Sequence, residues 1–265
     1  MELMRVAVDR GDPAVHRVRL APGEGGHIRL DAAGVAALEA AVAGAEASDE
    51  CRVLVLEGTD GTFCEGMDLQ AVADGAPDAA QHVHAFASLL GRLRRSPRPV
   101  VAVVDGAALG GGVGLAAVAD VVVATAQATF ALPEVALGLV PAVILPILHE
   151  RLGPRRARWL ALTSGVDGRR AVELGLADHL VEDPALLERA LRPILRHLLR
   201  ACPEAVAGLK ALGDAVAAHD PDRGLHLGAD HTAALVGDPE RVAALRAFLE
   251  GEPAPWWRTL RGRNE

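Results

Sequence analysis

Two glycine-rich turns are the places where the backbone of this chain could do chemistry. Gly61-Thr62-Phe63-Cys64-Glu65-Gly66-Met67-Asp68 follows the aliphatic run Arg52-Val53-Leu54-Val55-Leu56. Asp105-Gly106-Ala107-Ala108-Leu109-Gly110-Gly111-Gly112-Val113-Gly114 follows Val100–Val104. A turn between a strand and a helix presents N–H groups with no partner of their own. Two such donors aimed at one point hold a negative oxygen, such as a thioester carbonyl turning into an enolate. Each turn taken alone reads equally as a structural loop. Neither is a phosphate-cradling P-loop, because no Gly-Lys-Ser/Thr follows.

Glu134 is the side chain with the clearest chemical case. It follows Pro133 inside an apolar stretch from Val121 to Leu148. A carboxylate there is either buried or lines a pocket, and burial raises its pKa toward the range of a usable proton carrier. The other reading is a helix-start Glu in water. Asp68 reads as a helix cap, and Glu65 stays open. Cys51, Cys64 and Cys202 are odd in number and fit no zinc or redox spacing, so they read as small buried hydrophobes in a reducing cytoplasm. His27, His82, His84, His149, His219, His226 and His231 form no metal-ligand pattern, and no metal is expected. His27 and His231 would reach a site only through tertiary folding.

The elements that must position these groups follow from the apolar pattern. Val6–Val8 and Val15–Leu20 read as short strands around a turn at Gly11-Asp12-Pro13, and Asp31 as the cap of a helix through Ala45. Arg52–Leu56, Val100–Val104 and Val121–Ala124 are continuous aliphatic runs and read as buried strands. Asp68 starts a helical stretch, Ala79–Arg95 is helical by pattern, and Val113–Ala119 reads as a small-residue helix. This repeated strand, turn and helix predicts an α/β fold with mostly parallel pairing. From Asp183-Pro184 onward only helical periods remain, broken at Pro203, Asp220-Pro221 and Asp238-Pro239. The expected division is an α/β core over residues 1–195 and a helical region over 196–265, with a loosely ordered tail from Glu252.

Composition narrows the partners. The chain has 265 residues, 51% of them hydrophobic, with no Tyr and a net charge of −8. Its core must therefore be built from Ala, Val and Leu. Lys210 is the only lysine, and the pairs Arg94-Arg95, Arg155-Arg156 and Arg169-Arg170 read as solvated helix ends. An acidic chain gives no electrostatic case for nucleic acid or an anionic membrane. No charge-free run is long enough to span a bilayer, and the N-terminus lacks the apolar centre of a signal peptide.

Six motifs in order carry a resemblance: Phe63–Leu69, Pro99–Gly106, Leu109–Gly112, Ala119-Asp120, Phe130–Glu134 and Leu137–Pro141. Leu160–Ser164 and Leu174–Asp178 continue it. The set resembles the crotonase (enoyl-CoA hydratase/isomerase) superfamily over residues 50 to 182. The resemblance implies a spiral of ββα units with a C-terminal helical region that builds homotrimers or hexamers. It implies an oxyanion hole from the N–H groups of Met67 and Gly111, with Glu134 as acid/base. Glu65, Gly66, Asp68, Leu109, Gly110 and Gly114 become the candidate substrate-binding positions. It implies no bound cofactor, only a substrate carried on CoA or on the phosphopantetheine of an acyl carrier protein. Two hydratase glutamates of the family map to Gly114 and Glu134, so one of them is absent here.

Two departures refine this. Ala142-Val143-Ile144-Leu145-Pro146-Ile147-Leu148 stands where ordinary hydratases have a Gly-Gly-Thr/Ser-Gln run. With Glu65–Asp68 and Gly112–Gly114, it is similar to the dehydratase crotonases of polyketide β-branching cassettes, which act on a 3-hydroxy-3-methylglutaryl group on a carrier protein. After Phe248-Leu249-Glu250, the family's usual Lys and Arg are replaced by Gly251 and Glu252, which removes cations that would meet a CoA nucleotide phosphate. Ordinary drift explains the tail as well. The alternatives are a Δ3,Δ2-enoyl isomerase, an ordinary hydratase, and a non-catalytic acyl-binding protein.

Overall fold

The computed structural model describes residues 3–68, 70, 73, 74, 79–163 and 165–261. Leu69, most of the helical stretch expected after Asp68, and Ser164 lie outside the described residues.

The chain opens with an antiparallel hairpin, β1 (Met4–Asp12) and β2 (Val15–Pro22). Both strands run longer than the apolar pattern indicated, because β1 is an edge strand whose outer positions stay polar. Helix α1 (Ala32–Ala47) starts where expected: the Asp31 carboxylate accepts the Gly34 N–H at 2.7 Å, supplying a partner that the first turn lacks. β3 (Val53–Gly58) follows, then β4 (Thr62–Cys64), α2 (Ala79–Arg95), β5 (Val100–Val104), β6 (Ala107–Leu109), α3 (Gly111–Ala117), β7 (Val121–Thr125) and β8 (Thr129–Ala131).

Strands β1-β2-β3-β5-β7 and β10 (His179–Val181) form a six-stranded sheet in that order, parallel from β2 onward. β4, β6, β8 and the short β9 (Val166-Asp167) form a second, four-stranded sheet. The chain therefore passes from large sheet to small sheet three times, at β3–β4, β5–β6 and β7–β8. This is the spiral of ββα units that the resemblance implied. The two glycine-rich turns hold the short strands β4 and β6; three residues are too few to show a periodicity.

Side chains alternate across a strand, so β3 and β5 divide their aliphatic residues between two cores. Leu54, Leu56, Ala102 and Val104 join the larger core beneath α1, α2 and α3. Val53, Val55, Val101 and Val103 face a smaller one, completed by Leu191, Leu195 and Leu199. The starts of two parallel strands are fixed by carboxylates: Asp120 accepts the Val100 N–H and Asp178 accepts the Val122 N–H, at 2.8 and 2.7 Å. Asp120 also pairs with Lys210.

After β8 come α4 (Leu145–Leu152), α5 (Pro154–Leu162) and α6 (Gly168–Leu174), then α7 (Leu187–Leu198). α7 runs across position 195 and packs Leu191 and Leu195 into the smaller core. Helices α8 (Pro203–Ala217), α9 (Pro221–Val236) and α10 (Pro239–Leu249) begin at the three expected breaks, each with Pro in its first turn. Asp220 and Asp238 cap the last two.

The tail corrects an expectation: over 252–261 it is tied to the body. Ala254 is buried, Arg52 donates to the Trp256 carbonyl at 2.8 Å, the Arg258 N–H donates to the Leu199 carbonyl, and the Arg261 N–H to Asp12. Those partners lie up to 249 residues away in sequence, where no local pattern registers them. No helix among the described residues is long and apolar enough to cross a membrane. All three cysteines are buried and free, as small hydrophobes would be, and burial pushes the Cys64 thiol up to about 12.

The seam between the two sheets depends on close backbone contact. A Cβ on Gly112 would stand 2.1 Å from the Cys64 carbonyl oxygen, so α3 lies against β4 with no room for a side chain. We expect Gly112→Ala to push these elements apart, at a cost of about 1–3 kcal/mol typical of overpacking. Urea unfolding of the variant beside the unsubstituted chain measures it; equal midpoints would show that the seam yields freely.

Candidate active site

The two turns meet. Gly66 has φ +81°, a conformation that favours glycine. A Cβ placed on it would lie 2.6 Å from the Leu109 carbonyl oxygen and 3.1 Å from the Gly111 nitrogen. The residue after it, Met67, pairs with Leu30 in a single parallel bridge, in which the Leu30 N–H donates to the Gly66 carbonyl at 2.8 Å. Neither the Met67 nor the Gly111 N–H donates to any acceptor among the described residues. Gly111 is the first residue of α3, so its N–H belongs to the unpaired set of a helix start.

Each glycine of the triplet faces a different neighbour. Gly110, at φ +50°, would place a Cβ 2.9 Å from Glu134 Oε1. A Cβ on Gly111 would meet Leu30 Cδ1 at 3.0 Å and the Phe86 ring at 3.2 Å. Gly112 abuts Cys64. Leu109, Gly110 and Gly111 thus lie between the Gly66 turn on one side and Glu134 on the other.

Glu134 sits in a short 3₁₀ turn, Pro133–Leu137, that leaves β8. The turn is closed by Gly138 in the left-handed region, and the Leu139 N–H donates back to the Glu134 carbonyl at 2.8 Å. The carboxyl is half-buried. Its Oε2 has no exposed surface and no hydrogen-bond partner. Burial raises its pKa above the ordinary value, opposed only by its own backbone N–H. A carboxylate oxygen taken out of water without a donor is costly, and such sites are disproportionately functional.

Gly114 is one turn along α3. A Cβ there would come within 2.2 Å of Ile144 Cγ2 and 2.8 Å of Ile144 Cβ. Ile144 is buried. Position 114 thus lacks a carboxylate, and the space for one is filled by an isoleucine 30 positions away. The Ala142–Leu148 run showed a departure in sequence, but its contact with Gly114 is a matter of tertiary packing.

The remaining candidates divide. The Asp68 carboxylate accepts the Gln70 N–H at 3.1 Å, a local turn-capping bond. Glu65 faces a different group of residues: its carboxylate accepts from His27 Nδ1 at 2.9 Å and from the Ile28 N–H at 3.2 Å, and stands 3.8 Å from Arg29 Nε. The folding that brings His27 here does not bring His231, which packs beside Gly208 at the α8–α9 contact. Arg94 and Arg169 are in ion pairs with acidic partners, and Arg170 pairs with Glu173 and lies over Trp159.

Comparison with known proteins shows the family. The family model described as enoyl-CoA hydratase/isomerase matches residues 29–259. The enoyl-CoA hydratase ACTT6 of Alternaria alternata is 36% identical over 160 residues, which is 60% of this chain and 53% of that protein's length. A carnitinyl-CoA dehydratase of Citrobacter koseri is 33% identical over 218 residues, covering 78% of this chain and 82% of the relative. Among solved structures, Pseudomonas aeruginosa AtuE superposes with a TM-score of 0.86 at 37% identity, covering 97% of this chain and all of that one. With the matched family model spanning most of its length and both turns and Glu134 in one place, the chain belongs to the enoyl-CoA hydratase/isomerase family of enzymes.

Proposed function

We propose that this chain removes water from a 3-hydroxyacyl thioester, with Glu134 as its single acid/base and the Met67 and Gly111 N–H groups as the oxyanion donors. The observation that carries the reading is the half-buried carboxyl of Glu134 beside Gly110, its Oε2 buried without a hydrogen-bond partner, with Ile144 in the space of a second carboxylate at Gly114. The carboxylate takes the α-proton, and the electron pair moves onto the thioester oxygen between the two N–H donors. The enolate then expels the β-hydroxyl, which leaves as water with the proton returned by Glu134. One group serving both proton transfers requires hydrogen and hydroxyl on the same face, a syn elimination. Gly66, Leu109 and Gly110 line the acyl thioester, Gly114 is set back behind Ile144, and Glu65 and Asp68 flank the first donor. Two relatives, an enoyl-CoA hydratase and a carnitinyl-CoA dehydratase, accord with chemistry of water at such a substrate.

The proposed acyl group is 3-hydroxy-3-methylglutaryl on an acyl carrier protein, as in polyketide β-branching. It rests on the Gly112-Val113-Gly114 sequence, on the Ala142–Leu148 run, and on Gly251 and Glu252 in place of cations. A Δ3,Δ2-enoyl isomerase is the second reading. The filled space at Gly114 favours it too, since moving one proton needs one carboxylate. A purely acyl-binding role gives no reason for the cost of burying Glu134. The three unpaired cysteines suit a reducing cytoplasm.

Glu134→Gln keeps the shape but cannot exchange the proton, so kcat should fall by at least the ~10²–10⁴ typical of general acid/base work, with little change in KM. Glu65→Gln should lose far less. Because the carboxyl must be ionised to accept the α-proton and burial raises its pKa, kcat/KM should climb with pH through a midpoint above the ordinary glutamate value of about 4.3. Near-normal dehydration by Glu134→Gln ends the single-acid mechanism. Turnover of 3-enoyl but never 3-hydroxyacyl thioesters installs the isomerase.

The carrier preference is read by comparing kcat/KM for one acyl group on CoA and on a carrier protein. The carrier-protein thioester should be preferred; equal values or a CoA preference remove the support drawn from Gly251 and Glu252. For assembly we propose a homotrimer or a hexamer. Val135, Leu137, Leu139 and Val140 beside the site, and Leu225, Phe248 and Leu249 on the last helices, are exposed apolar residues that association would cover. Light scattering at micromolar concentration should give three or six times 27.5 kDa, and a clean monomer counts against it.

A further inference from the structure

Glu65 sits between the small sheet and the residue assigned as an oxyanion donor. β4 ends at Cys64, so Glu65, Gly66 and Met67 lie beyond the ladder that holds Thr62–Cys64. What holds them is the segment His27–Leu30, which itself forms no strand beyond its one bridge. Two backbone bonds join the segments: the Glu65 N–H donates to the Ile28 carbonyl at 2.8 Å, and the Leu30 N–H to the Gly66 carbonyl at 2.8 Å. The Glu65 carboxylate closes the gap between them. It receives His27 Nδ1 at 2.9 Å and the Ile28 N–H at 3.2 Å, with Arg29 Nε at 3.8 Å and Arg29 Nη2 3.5 Å from His27 Nδ1. Three consecutive residues of one segment are thus gathered on one carboxylate of the other. Leu30 also faces Gly111, the second donor, so displacement of the segment moves a wall of the site.

We propose that Glu65 is a positioning residue, which sets the Met67 N–H by clamping the Gly66 turn to His27, Ile28 and Arg29. The inference rests on the reading of Met67 as an oxyanion donor but not on which reaction follows. Hydrogen bonds to an ionised carboxylate are stronger than neutral ones, and catalytic geometry must be held within fractions of an ångström. The turn lies outside a ladder with a glycine at its centre, and besides the two backbone bonds and its contact with Leu109 and Gly111 it is held by this carboxylate. A carboxylate that only stabilised the fold would leave turnover of the folded enzyme unchanged when removed; a positioning carboxylate would not.

The test compares Glu65→Ala and Glu65→Gln with the unsubstituted chain by two readouts. The first is amide hydrogen exchange over residues 27–31 and 62–68 without substrate. The second is exchange of the α-proton of a saturated acyl-CoA into D₂O, which needs the oxyanion donors and Glu134 but neither dehydration nor isomerisation. In Glu65→Ala, amide exchange should quicken in these two segments alone. The maximal rate of α-proton exchange should fall about tenfold or more, within the ~10²-fold that an ångström of misplacement can cost, while KM stays within about twofold. Glu65→Gln, which keeps an acceptor for the Ile28 N–H, should recover part of the rate. Faster amide exchange with an unchanged α-proton rate overturns the inference, as does unchanged amide exchange. A chain that exchanges α-protons but never dehydrates refutes the dehydration reading and leaves this one standing.

Discussion

The contact on which the rest of this structure depends is backbone against backbone, where the start of α3 meets β4 and the Gly66 turn. Side chains are excluded from it: a Cβ on Gly112 or Gly66 would stand 2.1 or 2.6 Å from a carbonyl oxygen of the facing segment. Such proximity is costly in conformational entropy, because glycine loses more freedom on folding than other residues, and the two large aliphatic cores offset that cost. In return, the Gly66 turn and the start of α3 meet from distant parts of the sequence, and the Met67 and Gly111 N–H groups there donate to no acceptor among the described residues. One belongs to a helix start and the other to a turn that has left its ladder, the two positions where the backbone has donors to spare.

The electrostatics of the site follow from that packing. The glycines of α3 bring no polar side chain, and Leu30, Phe86, Ile144 and Leu90 close around them. The Glu134 carboxyl, beside Gly110, is half-buried, which is why its pKa is raised, and its Oε2 is buried with no hydrogen-bond partner. The carboxyl of Glu65, only two residues from Met67, has the opposite surroundings: it meets a histidine, a backbone N–H and an arginine. The two glutamates therefore differ in surroundings because of what packs on each, not because of where each falls in a motif.

The large sheet was legible because a strand buried on both faces must be apolar at every position, and Val53–Leu56, Val100–Val104 and Val121–Ala124 are. The helix starts at Asp31, Pro203, Pro221 and Pro239 were legible because capping is chemistry among near neighbours in sequence. The small sheet was not, since strands of two or three residues carry no period. Nor was the order of the tail, whose partners at Arg52, Leu199 and Asp12 are supplied by folding. At the site, Glu134 could be singled out from its apolar surroundings. The partners of Glu65 could not, since it stands 38 positions from His27, with a helix and two strands in between.

Ile144 shows how much of a site is decided by what fills it. In sequence, Gly114 is a missing carboxylate, and a missing group is restored by substitution. In the structure the position is not vacant: with Ile144 Cγ2 2.2 Å from where a Cβ would be, a side chain at 114 requires the isoleucine or α3 itself to move. Moving α3 is costly, because Gly112 two residues earlier is pressed on β4. Ile144 immediately precedes α4 and is buried beneath it, so shifting it disturbs that helix as well. The bare backbone at 114 is therefore a property of the packing of α3 between β4 and Ile144. Placing a side chain at 114 would need a coordinated substitution at 144.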